Sequence, residues 1–128
     1  MALNRQLAFN DAVLGLFKQK SRSVEENSCM YRGENGNKCA IGFLIPDERY
    51  DPELEYRTAV NPEVRSALGD EYGRVVTDDD KMFLAQMQMQ IHDTLPCRMP
   101  DTDWTDEAFL LACRNFANTY NLEMPDVA

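Results

Sequence analysis

One histidine, His92, is all the chain has among its 128 residues, so a zinc site would have to be completed by cysteines. Those number four, Cys29, Cys39, Cys97 and Cys113, too sparse for a disulfide-stapled secreted domain and unnecessary in a chain long enough for its own core. Long hydrophobic runs are also missing. Near the N-terminus the longest is Val13 to Phe17, interrupted by Gly15, far short of a signal core or a membrane span. These absences lead to the expectation of a cytoplasmic protein with no membrane association. Positive charge is the minority sign, 13 Lys and Arg against 22 Asp and Glu, for a net charge of −9. The imbalance is uneven: residues 1–43 hold six basic and four acidic groups, and residues 44–128 hold seven and eighteen. A surface of that sign repels nucleic acid and anionic lipid, which disfavours direct binding to either and leaves a basic protein as the compatible partner.

What is present fits one domain spanning 1–128. Residues 3–20 carry Phe9, Val13, Leu16 and Phe17 at helical spacing, with Leu3, Leu7 and Leu14 broadening the stripe. Residues 28–43 surround Asn35-Gly36, the preferred pair for a tight type I′ turn, and predict a β-hairpin. With a two-residue loop Arg32 faces Cys39, and Met30, Cys39, Ile41 and Phe43 share the core face opposite Cys29, Tyr31 and Ala40. That register separates Cys29 from Cys39. Residues 44–76 read as an irregular, solvated loop with a short helix from Asn61-Pro62-Glu63 to Leu68, stopped by Gly69. Thr77 caps a helix whose Phe83, Leu84, Met87, Ile91 and Leu95 form a buried stripe, with Met82, Ala85, Met89 and His92 on an adjoining face; Pro96 ends it. Thr105 caps a last helix carrying Phe109, Leu110, Cys113, Phe116, Ala117 and Tyr120, and the tail from Met124 is expected to fray. The fold class is therefore expected to be α+β: an N-terminal helix, one hairpin at 28–43, and two or three further helices packed around it.

The string Cys29-x-Tyr31-Arg32-Gly33, Asn35-Gly36-x-Lys38-Cys39-Ala40-Ile41-Gly42, Leu44-Ile45-Pro46-Asp47-Glu48-x-Tyr50-Asp51-Pro52-Glu53 resembles a widespread group of small proteins of tailed phages and prophages. The later Ile91-His92-Asp93 and the closing stretch Trp104 to Tyr120 extend the resemblance over Ser28 to Leu122. It implies a phage or prophage origin and supplies no mechanism.

Chemistry-bearing constellations are thin. Cys29-x9-Cys39 and His92-x4-Cys97 are poor zinc spacings, and no cofactor motif occurs, so no metal and no cofactor are expected. Asp78, Asp79 and Asp80 are explained by the positive end of a helix dipole. The segment from Ile45 to Glu53 is a shaped polar loop directly after the predicted hairpin, and loops on rigid scaffolds are where recognition concentrates. The expected function is a phage or prophage accessory protein that binds a host or defence protein, acting as an acidic, DNA-mimic-like inhibitor or modulator. Its candidate contact residues are Asp47, Glu48, Tyr50, Asp51, Glu53 and Glu55, with Asp70, Glu71, Asp78, Asp79 and Asp80 as a second patch. The alternatives are a small enzyme using His92, Asp93 and a cysteine, and an oligomeric structural phage component.

Overall fold

A computed structural model describes residues 3–19, 24–25, 28–33, 36–55, 57, 61–75, 77–93 and 105–126. Among the described residues the α-helices are α1 (Arg5–Gln19), α2 (Pro62–Ala67), α3 (Asp78–Gln88) and α4 (Asp106–Tyr120). In α1 the buried positions are Ala8, Phe9, Ala12, Val13 and Leu16, which lie on one side of a 3.6-residue helix. Capping sets the other starts. The Asn61 side chain accepts the Glu63 N–H at 2.9 Å, Thr77 Oγ1 the Asp80 N–H at 3.0 Å, and Thr105 Oγ1 the Ala108 N–H at 3.2 Å. Past α3, Met89–Asp93 widens into a π-helical turn that still buries Ile91 completely. No helix among the described residues is long and apolar enough to cross a membrane.

Three helices meet in a knot of aromatic rings. Phe116 of α4 lies 5.6 Å from Phe9 of α1 and 5.4 Å from Phe83 of α3, centroid to centroid. Tyr120 closes the group, edge-on to Phe83 at 5.1 Å. Phe17 meets Phe109 at 6.5 Å, so residue numbers rise along α1 as they fall along α4, and the two helices run antiparallel. The expected stripes of α3 and α4 are buried as predicted at Phe83, Leu84, Met87, Ile91, Phe109, Cys113, Phe116 and Ala117; Leu95 and Pro96 lie outside the described residues.

From Asn121 to Met124 the chain after α4 is held and does not fray. Asn121 adopts a left-handed conformation, φ 56°, and the Leu122 N–H returns to the Ala117 carbonyl at 2.8 Å. That pairing is the six-to-one bond of a Schellman cap. Gln6 then holds Glu123 by both backbone groups, donating to its carbonyl at 2.8 Å and accepting its N–H at 2.9 Å, and Met124 packs on the core.

The α+β expectation is overturned: among the described residues the fold is helical, and no hairpin spans the described part of 28–43. Among the described residues, strand pairing amounts to Val24–Glu25 (β1) against Ser28–Cys29 (β2), two residues each, and one isolated bridge between Arg32 and Lys38. Of the predicted type I′ turn, only the positive φ of Gly36, 81°, is found among the described residues. The loop length differs from the prediction. Gly33 donates to the Asn37 carbonyl at 2.8 Å and accepts from Gly36 at 3.1 Å, which makes a loop one residue longer than predicted and moves Arg32 opposite Lys38 instead of Cys39. Beyond Lys38 the ladder stops. The Gln19 side-chain amide takes the place of a neighbouring strand, donating to the Lys38 carbonyl and accepting its N–H, both at 2.8 Å. The run Cys39 to Ile45 then coils, with Gly42–Leu44 as a 3₁₀ turn and the Ile41 N–H donated to Gln88 Oε1 at 3.0 Å. Gly42 permits this because a Cβ there would lie 2.1 Å from the Tyr31 carbonyl oxygen. The two-faced assignment fails with the ladder: Tyr31 and Ala40 are buried along with Met30, Cys39 and Ile41. The side chain of Cys29 lies outside the description.

The described residues of 44–75 are likewise not a solvated loop. Leu44, Ile45, Leu54, Val64, Ala67, Leu68 and Tyr72 belong to the same hydrophobic cluster as α1, α3 and α4. They are delivered by α2 and by 3₁₀ turns at Asp47–Arg49, Pro52–Leu54 and Asp70–Tyr72. Tyr72 fastens the segment to α1: its hydroxyl donates to Asp11 Oδ2 at 2.6 Å, and its carbonyl accepts the Asn4 N–H at 2.7 Å. Burial, reinforced by that hydrogen bond to Asp11, raises the phenol's pKa far above its ordinary value of 10.0. The folded state therefore holds this proton more tightly than the unfolded chain. The stabilisation is complete below pH 10.0 and declines as pH rises beyond it. Denaturation midpoints from pH 8 to 11 are expected to fall steeply above 10 in the wild type and less steeply in Tyr72→Phe. Equal slopes would refute the assignment.

Candidate functional site

The loop after the apolar run is built from its interior outward. Glu55 is 8 % exposed, and its carboxylate accepts the Tyr31 N–H at 2.9 Å, the Arg32 N–H at 3.1 Å and the Tyr50 O–H at 2.5 Å. The Tyr31 hydroxyl, in turn, donates to the Arg57 carbonyl. Over the Tyr50 ring, 4.6 Å from its centroid, lies the Arg32 guanidinium. It donates to the Ile45 carbonyl and pairs with Asp47, both at 2.8 Å, and leaves its buried Nε without an acceptor. Two 3₁₀ turns follow from this scaffold. Asp51 caps the second by accepting the Glu53 N–H at 2.9 Å, with Pro52 at its first position.

The predicted contact residues therefore separate into groups. Glu48, Asp51 and Glu53 are exposed along the loop, with Tyr50 half-buried behind them. Asp47 is exposed but committed to Arg32, and Asp70 is exposed but paired with Arg49 at 2.6 Å. Glu55 is an internal acceptor and not a contact residue. In the second patch Glu71, Asp78 and Asp79 are exposed, whereas Asp80 is buried. Its Oδ1 receives Arg5 Nε at 3.0 Å and Nη2 at 2.9 Å, and the same guanidinium covers the Phe83 ring. Asp80 thus pins α3 to α1. Lys81 reaches Asp78 at 3.3 Å, an exposed pair of small energetic consequence.

The nucleophile and metal readings gain little. Cys39 and Cys113 are both buried as free thiols, and burial pushes the Cys113 thiol up to about 12, away from the reactive thiolate. The Gly42 N–H donates to Cys39 Sγ at 3.3 Å. Cys97 and the side chains of His92 and Asp93 lie outside the described residues, and among those described no three His, Cys, Asp or Glu converge on a metal-sized site. Met82 and Met89 are exposed, as their helical positions suggest.

A second feature was not foreseen. Beside the acidic loop is a cleft of about 530 Å³ lined by Arg49, Arg65 and Arg74 together with Ser66, Leu68 and Asp70. Counting charge over half the chain conceals it. The available signal was local: every basic residue from 44 to 76 is arginine, at 49, 57, 65 and 74, in a segment otherwise rich in carboxylates. No family model, no curated protein and no solved structure matches this chain.

Proposed function

We propose that this protein is a phage or prophage accessory factor that acts by binding a protein with a basic surface, using the loop from Pro46 to Glu53. The observation that carries the reading is the division of labour within that loop. Glu55, Arg32 and Tyr50 are consumed in holding it, and Glu48, Asp51 and Glu53 are left at the surface. A loop fixed beforehand loses little conformational entropy on binding, and exposed carboxylates steer a basic partner into register. The resemblance of Cys29 to Glu53 to small phage proteins supports the origin, and the net charge of −9 supports the sign of the partner.

The test is affinity capture from bacterial host lysate at low salt, with the wild type and with Glu48→Lys/Asp51→Lys/Glu53→Lys side by side. One or more captured proteins are expected to be lost from the triple variant, and the purified pair is expected to weaken at least ~10-fold. Identical captured sets from the two baits, or an affinity unchanged by the three reversals, would refute the reading.

A further inference from the structure

Arg32 and Glu55 both hold the loop, in different ways. Glu55 accepts two backbone donors, Tyr31 N–H and Arg32 N–H, that burial would otherwise strand. The polar and ring contacts of the Arg32 side chain among the described residues go to the loop itself: Nη2 donates to the Ile45 carbonyl and pairs with Asp47, both at 2.8 Å, and the guanidinium lies over the Tyr50 ring. We propose, resting on the binding role of the loop given above, that Arg32 is its positioning residue, fixing the spacing of the exposed carboxylates without stabilising the fold.

Stability does not explain an arginine at this place. The Arg32 side chain is 19 % exposed, so its charge is largely withdrawn from water, whereas its partner Asp47 is 85 % exposed, and such a pair returns little. Nε is buried and has no acceptor among the described residues, which adds a further cost. The bond to the Ile45 carbonyl offsets part of this. A methionine would lay a stem of similar length against Tyr50 with neither penalty. A side chain that breaks a local rule without a gain in stability points to function.

What the guanidinium does gain is geometry. Its three attachments fall on Ile45, before Pro46, on Asp47, the first residue of the 3₁₀ turn, and on Tyr50, directly after that turn. They bracket Glu48 and lead into Asp51, the cap of the next turn, whose second residue is Glu53. Pairing also withdraws the Asp47 carboxylate from those a partner meets, leaving Glu48, Asp51 and Glu53 at a set spacing. A planar side chain with donors on its edge and a stacking face makes all three attachments at once; a lysine ammonium does not. The partner that fits carries basic side chains at a matching spacing rather than a diffuse positive field, since a fixed frame discriminates by register.

Hydrogen exchange read by NMR on the full chain tests this. The Arg49 and Tyr50 N–H groups, both donated to the Pro46 carbonyl, report the loop, and those of Phe83 and Phe116, within α3 and α4, report the fold. In Arg32→Met the loop pair is expected to exchange at least ~10-fold faster, while Phe83 and Phe116 stay within ~3-fold of wild type and Tm within ~4 °C. Arg32→Lys is expected to speed the loop pair by a similar factor. Unchanged loop exchange in Arg32→Met overturns the proposal. So does a larger fall in Tm with core exchange rising in step, or a failure to fold, since Arg32 would then be structural. Full protection in Arg32→Lys also overturns it, because charge alone would then suffice. No partner enters these measurements: a wild type that captures nothing from lysate overturns the binding role of the loop, and unchanged loop exchange overturns the role of Arg32.

Discussion

Glu55→Ala is expected to lower the unfolding free energy by about 3–5 kcal/mol, a large share of the stability of a domain this size. The two backbone donors that meet this carboxylate, Tyr31 N–H and Arg32 N–H, lie 24 and 23 residues earlier in the chain. Truncation strands both in a place where water does not replace Glu55, at ~1–3 kcal/mol each, and also removes the acceptor of the Tyr50 hydroxyl. Glu55→Gln keeps one acceptor oxygen but turns an NH₂ toward donors, so an intermediate loss of ~2 kcal/mol is expected. Urea denaturation followed by circular dichroism reads both. A Glu55→Ala variant within 1 kcal/mol of wild type would show that the carboxylate is not the anchor the geometry describes. The same variants bear on the proposed function. Glu55→Gln should weaken capture of the partner although the residue is not on the surface, because the exposed carboxylates would lose their fixed frame.

How much of this was legible depends on whether the cause is local. Helix starts were, because Asn61, Thr77 and Thr105 accept N–H groups only two or three residues away. So were the stripes of α3 and α4, since helical spacing is a property of the sequence itself. The hairpin was legible only as far as Gly36. That the outer edge of Lys38 is met by the amide of Gln19, and that Ile41 donates to Gln88 and not to a strand, is decided by helices elsewhere in the chain. One warning was available: Cys39 to Ile45 contains no polar residue, so it lacks the alternation of a half-exposed strand and fits a segment buried on every side.

The acidic residues show the same limit. Asp80 and its neighbours Asp78 and Asp79 are indistinguishable as a cap, yet Asp80 alone meets Arg5, 75 positions away. Glu55 and Glu53 differ in sequence by nothing that marks one as internal. Composition hid the cleft for a different reason. A sum over residues 44–128 is strongly negative, and three arginines gathered by the fold leave no trace in a sum.

Phe116→Ala is expected to be the most damaging core substitution, at about 3–5 kcal/mol, because the ring it removes is shared by three helices. Its centroid is 5.6 Å from Phe9, 5.4 Å from Phe83 and 4.8 Å from Tyr120, and the residue is fully buried. Those partners are themselves tied down. Phe83 lies under Arg5, which is bonded to Asp80, and the chain beyond Tyr120 is clamped by Gln6 at Glu123. Such a site cannot collapse onto the space left by the ring, and the cost of a cavity grows with the volume that remains. A drop in Tm of roughly 10–20 °C is the expected reading. Two comparisons separate packing from helix propensity. Phe116→Leu keeps part of the volume and should lose less than half as much, whereas Leu111→Ala, 57 % exposed on the same helix, should move stability by ~0.5 kcal/mol or less. If Phe116→Ala and Leu111→Ala cost the same, the aromatic knot is not what joins α1, α3 and α4, and the antiparallel packing inferred from the ring pairs loses its support.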